Sequence, residues 1–262
     1  MTATEPRRAR TPASKPAIDE KELLAGHLTP LINVVAFGAR LVARCFTRVR
    51  VEGAIDEIPR EGAVILAANH ISNADPVVIG AWLTPRLGRR IHWLGKREMF
   101  DWPIVGWMAR NGGVVPVDRA AADAEAFRMA RRVLEAGHVL MVFPEGTRSA
   151  DGVLQRPKDG LAMLALRTGA TIVPIGVSNS DQVWRRGQPI PTPGGHITMR
   201  VGRPFRLADE LPPEVDRKAA KPAATDLIMR RIAALLDLRH RGPFGTVEAS
   251  GTDPEDVRGF PA

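Results

Sequence analysis

Two rhythms of apolar and polar positions run along the chain. Compact apolar runs bounded by Gly, Pro or Asn read as buried strands at Ala63–Ala68, Ile91–Leu94, Val114–Val117, Val139–Phe143, Thr171–Val177 and His196–Val201, and Arg48–Val51 alternates like a short strand. Between them lie helical stretches at Pro76–Leu83, Pro103–Arg110, Ala120–Ala136 and Gly160–Thr168. Gly137 and Gly169 are placed as helix stops. A proline-rich linker (Pro212, Pro213, Pro222) leads to a last helix with Leu227, Ile228, Ile232, Leu235 and Leu236 on one side. Strands alternating with helices predict an α/β domain whose central sheet is largely parallel or mixed and flanked by helices.

Upstream the pattern changes. Leu28 to Phe46 is the most apolar part of the chain, and the uncharged run within it ends at Ala39. That is well short of the ~20 residues that span a bilayer as a helix. Arg40, Arg44 and Arg48 recur every four residues with Asn33 on the same face, while Leu41, Val42, Cys45 and Phe46 point elsewhere. Such a helix can lie in a membrane interface or pack on the domain's own sheet, and pattern alone leaves both open. Cys45, among apolar neighbours, reads as inert packing. The expected organisation is a disordered basic arm over residues 1–17, a helical and membrane-interfacial segment over 18–47, the α/β domain over 48–241 and a disordered tail over 242–262.

Composition narrows the classes. A chain of 262 residues with 44% hydrophobic content can bury one sizeable core. Its 37 Lys+Arg against 29 Asp+Glu give a net charge of +8, which favours an anionic partner. No nucleic-acid module accompanies that charge, and Tyr, a common base-stacking residue, is absent, so nucleic acid is not expected. One cysteine excludes an internal disulfide framework and a cysteine-rich metal site. The opening residues lack the apolar core of a secretory signal, and cytosolic exposure fits.

Candidate chemistry sits in one turn. Asn69-His70-Ile71-Ser72-Asn73-Ala74-Asp75-Pro76 follows the most apolar strand, with Asp75-Pro76 reading as a helix N-cap and first helical residue. His70 and Asp75 thereby fall at the carboxyl end of a strand, where α/β sheets place ligands. An imidazole oriented by a carboxylate is a general base for a hydroxyl. The plainer reading is an N-cap beside a loop histidine. Zinc would need ligands that nothing nearby supplies. Three further loops follow strands: Gly95-Lys96-Arg97-Glu98, Asp118-Arg119, and Pro144 to Ser149 continued by Arg156 to Gly160. Cations on several strand ends suit an anionic substrate; any single one reads better as a solvated loop residue, and it is four such loops beside a His/Asp pair that favour a site.

These residues carry a resemblance to the glycerolipid acyltransferases typified by 1-acylglycerol-3-phosphate acyltransferase. Asn69-His70 through Asp75 is similar to that family's NHxxxxD block, Gly113 through Arg119 to its second, Phe143-Pro144-Glu145-Gly146-Thr147-Arg148-Ser149 to FPEGTRS, and Val173-Pro174-Ile175 to its fourth, over about residues 50 to 205. Two departures stand out. Pro116 replaces a frequent aromatic residue, and no long apolar N-terminal span is present, so any anchoring is expected to be interfacial.

The resemblance implies the glycerolipid acyltransferase fold and transfer of an acyl group from acyl-CoA or acyl carrier protein to the sn-2 hydroxyl of lysophosphatidate, giving phosphatidic acid. His70 would deprotonate the hydroxyl and Asp75 orient His70. Glu145, Gly146 and Thr147 would shape the acceptor site, with backbone N–H groups near Gly146 stabilising the oxyanion. Lys96, Arg119, Arg148 and Lys158 would hold the phosphate. No metal or cofactor is needed, and the enzyme would sit peripherally on the cytoplasmic face of an anionic membrane. Other acceptors (glycerol 3-phosphate or another lysolipid), a thioesterase-like hydrolase and a non-enzymatic lipid binder are the alternatives.

Overall fold

The structure is a computed structural model and describes residues 28–117, 123–158, 160–212 and 217–245. The expected basic arm, Arg119 and most of the expected C-terminal tail lie outside those residues. At the centre is β2 (Val64–Ala68), every residue of which is buried. Its side chains alternate between two cores. Val64, Leu66 and Ala68 face one apolar cluster with Val78, Ile79 and Leu83, while Ile65 and Ala67 face another with Leu134, Leu161, Ile228 and Ile232. A strand covered on both faces needs a continuous apolar sequence, which is why this run is so distinct.

Around it the sheet runs β1 (Thr47–Gly53), β7 (Gly195–Val201), β6 (Thr171–Ser178), β2, β5 (Val139–Val142), β3 (Ile91–Lys96), β4 (Val114–Val117). The β6–β7 pair is antiparallel, and the other pairs are parallel. This is the flanked, largely parallel sheet expected from the sequence. The chain visits β3, β4 and β5 on one side of β2 and then crosses to β6 on the other. The carboxyl end of β2 therefore lies at a switch in strand order, a place where open α/β sheets form a crevice.

The helices are α1 (Pro30–Phe46), α2 (Asp75–Leu87), α3 (Pro103–Asn111), α4 (Asp123–Glu135), α5 (Gly160–Thr168), the single turns α6 (Ser180–Val183) and α7 (Leu207–Glu210), and α8 (Arg217–Ala234). Helix α8 corrects one expectation: Pro222 lies inside it rather than in a linker. A helix-interior proline costs ~3 kcal/mol. Burying Ile228, Met229 and Ile232 of the same helix contributes ~1.5–3 kcal/mol each and outweighs that loss.

Helix α1 begins at Thr29, whose side chain accepts from the Ile32 N–H, followed by Pro30. Ile32 and Ala36 are buried, and Ala39 and Ala43 pack with α2 in the same core. The expected cationic stripe is broken up. Arg48 belongs to β1, and the Arg40 Nε donates to the Ala81 carbonyl at 2.6 Å with its guanidinium over the Trp82 ring. Arg40 thus fastens α1 to α2, and only Arg44 stays exposed on the helix. Cys45 is exposed rather than packed inside, as are Leu31, Val34, Phe37, Leu41 and Val42. No described helix is long and apolar enough to cross a membrane.

Candidate active site

At the carboxyl end of β2 the chain is tied down before it turns. The Asn69 side chain is fully buried and replaces two ladder bonds: its Nδ2 donates to the Val177 carbonyl at 2.8 Å, and its Oδ1 accepts from the Val177 N–H at 2.7 Å. His70 follows with both backbone groups held. Its N–H donates to Glu145 Oε1 at 2.7 Å, and its carbonyl accepts from the Ser149 N–H at 2.8 Å. The imidazole stacks on Phe143, ring centroids 4.0 Å apart, and its side chain remains 16% exposed.

Asp75 is wholly buried in the first turn of α2. It does not cap that helix, contrary to expectation. Its Oδ2 accepts from His70 Nδ1 and from the N–H groups of Ile71 and Ser72, each at 2.8 Å. Its Oδ1 accepts from the Ser180 hydroxyl at 2.5 Å. Backward bonds win because they enclose the carboxylate in four donors, which a buried charge requires. Since a carboxylate oxygen accepts, Nδ1 carries a proton, and it is the neutral ring that presents a lone pair at Nε2. Among the described residues no side chain or backbone group bonds that Nε2.

Sequence does not single out Ser180, which is remote from the motif blocks. It opens α6 directly after Asn179, the one non-glycine among the described residues with positive φ, at 68°. That residue is held by its backbone and its side chain: the Asn179 N–H donates to His240 Nε2 at 2.9 Å, and Asn179 Oδ1 accepts from Arg239 at 2.7 Å. The kink returns the Ser180 hydroxyl to Asp75. Only the placing of Ser180 at a strand end on the same sheet edge could have marked it.

Glu145 lies beneath the site. It is 3% exposed, and its second oxygen accepts from the Gln155 N–H at 2.8 Å. Burial pushes its carboxyl up to about 7; the two backbone N–H groups, from Gln155 and His70, pull it back, and Asp75 and Asp151 add to the rise. It shapes the site through His70 and Gln155 rather than by presenting oxygens to an open space. Gly146 next to it has φ 67°, and a Cβ there would stand 2.8 Å from Lys158 Cδ. Glycine is thus needed both for the turn and for Lys158 to lie across it. The Gly146 N–H donates to Phe143 O and is therefore engaged within the turn, not free to meet a ligand as expected.

Thr147 and Lys158 are exposed and Arg148 half-buried at this edge, and Lys96 is exposed at the end of β3. A further cation, one that sequence does not mark, is Arg186. Its Nη1 donates to the Arg148 carbonyl at 3.2 Å, and its loop is pinned to the histidine turn. The Ser72 hydroxyl donates to Trp184 O at 2.7 Å, and the Asn73 N–H donates to the same oxygen at 3.0 Å. Arg148, Lys158 and Arg186 thus sit on loops tied to the histidine turn or to one another, and Lys96 ends β3, two strands from β2. Among the described residues no three His, Cys, Asp or Glu side chains form a metal-ligand group.

Residues 48–178, half of the chain, match the sequence model of the family described as Acyltransferase. The chain belongs to the acyltransferase family. The 1-acyl-sn-glycerophosphate (LPA) acyltransferase of Thermotoga maritima has a similar structure, with TM-score 0.63 and 26% identity over 78% of this acyltransferase and 79% of that one. The chloroplastic 1-acyl-sn-glycerol-3-phosphate acyltransferase of Arabidopsis thaliana is 28% identical over 67% of this chain and 49% of its own length. The lyso-ornithine lipid O-acyltransferase of Pseudomonas aeruginosa is 34% identical over 53% and 51%, and the 1-acyl-sn-glycerol-3-phosphate acyltransferase of Bacillus subtilis 24% over 70% and 87%. The chain spans about half the length of the Arabidopsis and Pseudomonas relatives.

Proposed function

We propose that this acyltransferase moves a fatty acyl group from a thioester donor, acyl-CoA or acyl carrier protein, to the sn-2 hydroxyl of 1-acylglycerol 3-phosphate, giving phosphatidic acid for phospholipid synthesis. The observation that carries the reading is the His70–Asp75 pair at 2.8 Å with Nε2 turned away from Asp75, beside loops that carry Arg148, Lys158 and Arg186. Nε2 takes the acceptor hydroxyl proton, and the oxygen attacks the thioester carbonyl. Asp75 balances the charge on the imidazolium. Amides of Thr147 and Arg148, next along the loop from Gly146, meet the oxyanion. As the carbonyl re-forms, the C–S bond breaks and the thiolate takes the proton back from His70, so no protein nucleophile or cofactor enters. Arg148, Lys158, Arg186 and Lys96 hold the phosphate.

The exposed apolar face of α1, with Arg44 beside it, supports peripheral attachment to the cytoplasmic face of an anionic membrane. Similarity to a lyso-ornithine lipid enzyme favours a second acceptor class, a lyso-aminolipid without a phosphate monoester. Purified protein is therefore assayed with radiolabelled acyl-CoA and acyl carrier protein against lysophosphatidate, glycerol 3-phosphate and lyso-ornithine lipid. Labelled phosphatidate with the highest kcat/KM supports the first reading. Preference for the aminolipid replaces it, and release of free fatty acid alone, or no turnover, overturns acyl transfer.

A further inference from the structure

Helix α1 is apolar on two sides. At 100° per residue, Val34, Phe37 and Leu41 lie opposite the buried Ile32 and Ala36, and Phe37 is 66% exposed. A helix with apolar faces both inward and outward calls for a second cover. The surface does not stop at α1. Eleven large apolar side chains are exposed among the described residues, and eight of them lie on α1 or within Trp102–Met108. The latter are Trp102, 59% exposed, Trp107 and Met108, on or just before α3, which touches α1. A patch of that extent on two adjoining elements marks an interaction site.

We infer that Trp102, Trp107 and Met108 form a second anchor that, with α1, docks this face on a bilayer containing anionic lipid. The inference deepens the membrane attachment proposed above and rests on the acyl-transfer reading for its purpose. Three observations select a bilayer. Indole rings, apolar with one N–H, suit the headgroup level. Arg44, exposed on α1, lies beside its apolar face, as anionic headgroups require. Glu98 and Asp101, exposed on the turn before Trp102, hold the contact at the interface rather than in hydrocarbon.

Topology supplies the orientation. β1 runs parallel to β7, and β7 antiparallel to β6. β1 therefore begins at the edge where β6 ends, which is also the edge of His70. The C-terminus of α1 is at that edge, and so is Trp102, which follows the turn leaving β3. Both anchors thus border the catalytic mouth. Docking sets His70 at headgroup depth, where the glycerol hydroxyl of a lysolipid lies while its acyl chain stays in the bilayer.

The test uses the full chain and vesicles of phosphatidylcholine with and without phosphatidylglycerol. A Trp102→Ala/Trp107→Ala variant is compared with a Phe37→Ser/Leu41→Ser variant by sedimentation, and tryptophan quenching by brominated lipids reports depth. The tryptophan variant should bind anionic vesicles at least tenfold more weakly, lose most of the quenching, and keep wild-type turnover of a monomeric short-chain lysophosphatidate. Wild-type vesicle affinity in the tryptophan variant, with binding lost in the α1 variant, overturns the second anchor and leaves α1 attachment standing. Failure of the wild type to bind vesicles, or a concentration-dependent dimer that shields the tryptophans from quencher, overturns the bilayer as occupant. Vesicle binding without acyl transfer leaves the dock intact and removes the proposed reaction instead.

Discussion

Replacing Asp75 with asparagine separates charge from orientation in the dyad. Three donors converge on Oδ2, two of them backbone N–H groups that cannot turn away. The single amide oxygen of the Asp75→Asn side chain therefore has to occupy that place. Its NH2 then faces the Ser180 hydroxyl, which can rotate from donor to acceptor. His70 keeps its tautomer and its position, and only the negative charge disappears. With charge centres about 4 Å apart and an effective dielectric near 20, the imidazolium loses ~4 kcal/mol of stabilisation. That corresponds to a fall in kcat of roughly 10²–10³. A flipped amide with the wrong tautomer costs nearer ~10⁴. Steady-state kinetics with lysophosphatidate, alongside thermal unfolding, reads the difference: KM should hold and the melting temperature stay within a few degrees. A kcat within tenfold of wild type refutes a role for the Asp75 charge. A loss of ~10⁴ in a folded protein refutes the fixed-oxygen reasoning.

Ser180→Ala leaves Asp75 Oδ1 without its donor and should cost about 1–3 kcal/mol, read as a roughly tenfold or greater fall in kcat at constant KM; Ser180→Cys, a weaker donor, should fall between, and unchanged kcat in both refutes positioning through Asp75. Gly146→Ala places a Cβ against the Lys158 stem in a left-handed backbone, which costs about 1–2 kcal/mol of stability and should raise KM for lysophosphatidate. Arg148→Ala, Lys158→Ala and Arg186→Ala should each raise that KM about tenfold while sparing acceptors without phosphate, because a charge-assisted bond contributes ~1.5–3 kcal/mol. For Glu145 the folded carboxyl is raised from 4.5 to about 7, so its contribution is full below the unfolded value and is lost as pH rises through about 7. That is ~3 kcal/mol over the window, and denaturant titrations from about pH 4 to 8 should show a decline that Glu145→Gln flattens.

The strands and the His70–Asp75 turn are legible in the sequence because their causes are local. β2 is buried on both faces, so its run is unbroken, and the dyad lies five residues apart in one turn. Other features depend on contacts that sequence does not display. Asp75-Pro76 has the composition of a helix cap, yet the donors that claim its carboxylate come from Ile71, Ser72 and Ser180. A glutamate between Pro144 and Gly146 reads as a solvated loop residue; its burial emerges only when that loop packs under the β2 turn. Ser180 and Arg186 reach the mouth only after the crossing to β6, more than a hundred residues past His70. The four-residue spacing of Arg40, Arg44 and Arg48 suggests one stripe. The helix instead ends at Phe46, and Arg40 bonds a carbonyl on α2.

The most direct measurement is acyl transfer by His70→Ala, with lysophosphatidate as acceptor and acyl-CoA as donor. Alanine retains the backbone bonds of position 70 to Glu145 and Ser149, and Asp75 keeps three of its four donors, so the variant should fold despite losing the bond to Asp75 and the stacking on Phe143. Losing a positioned general base typically costs ~10²–10⁴ in rate. Expected is a kcat lower by that factor, with phosphatidate formation near background and an unchanged circular dichroism spectrum. Wild-type turnover in a folded His70→Ala protein would contradict the mechanism at its centre.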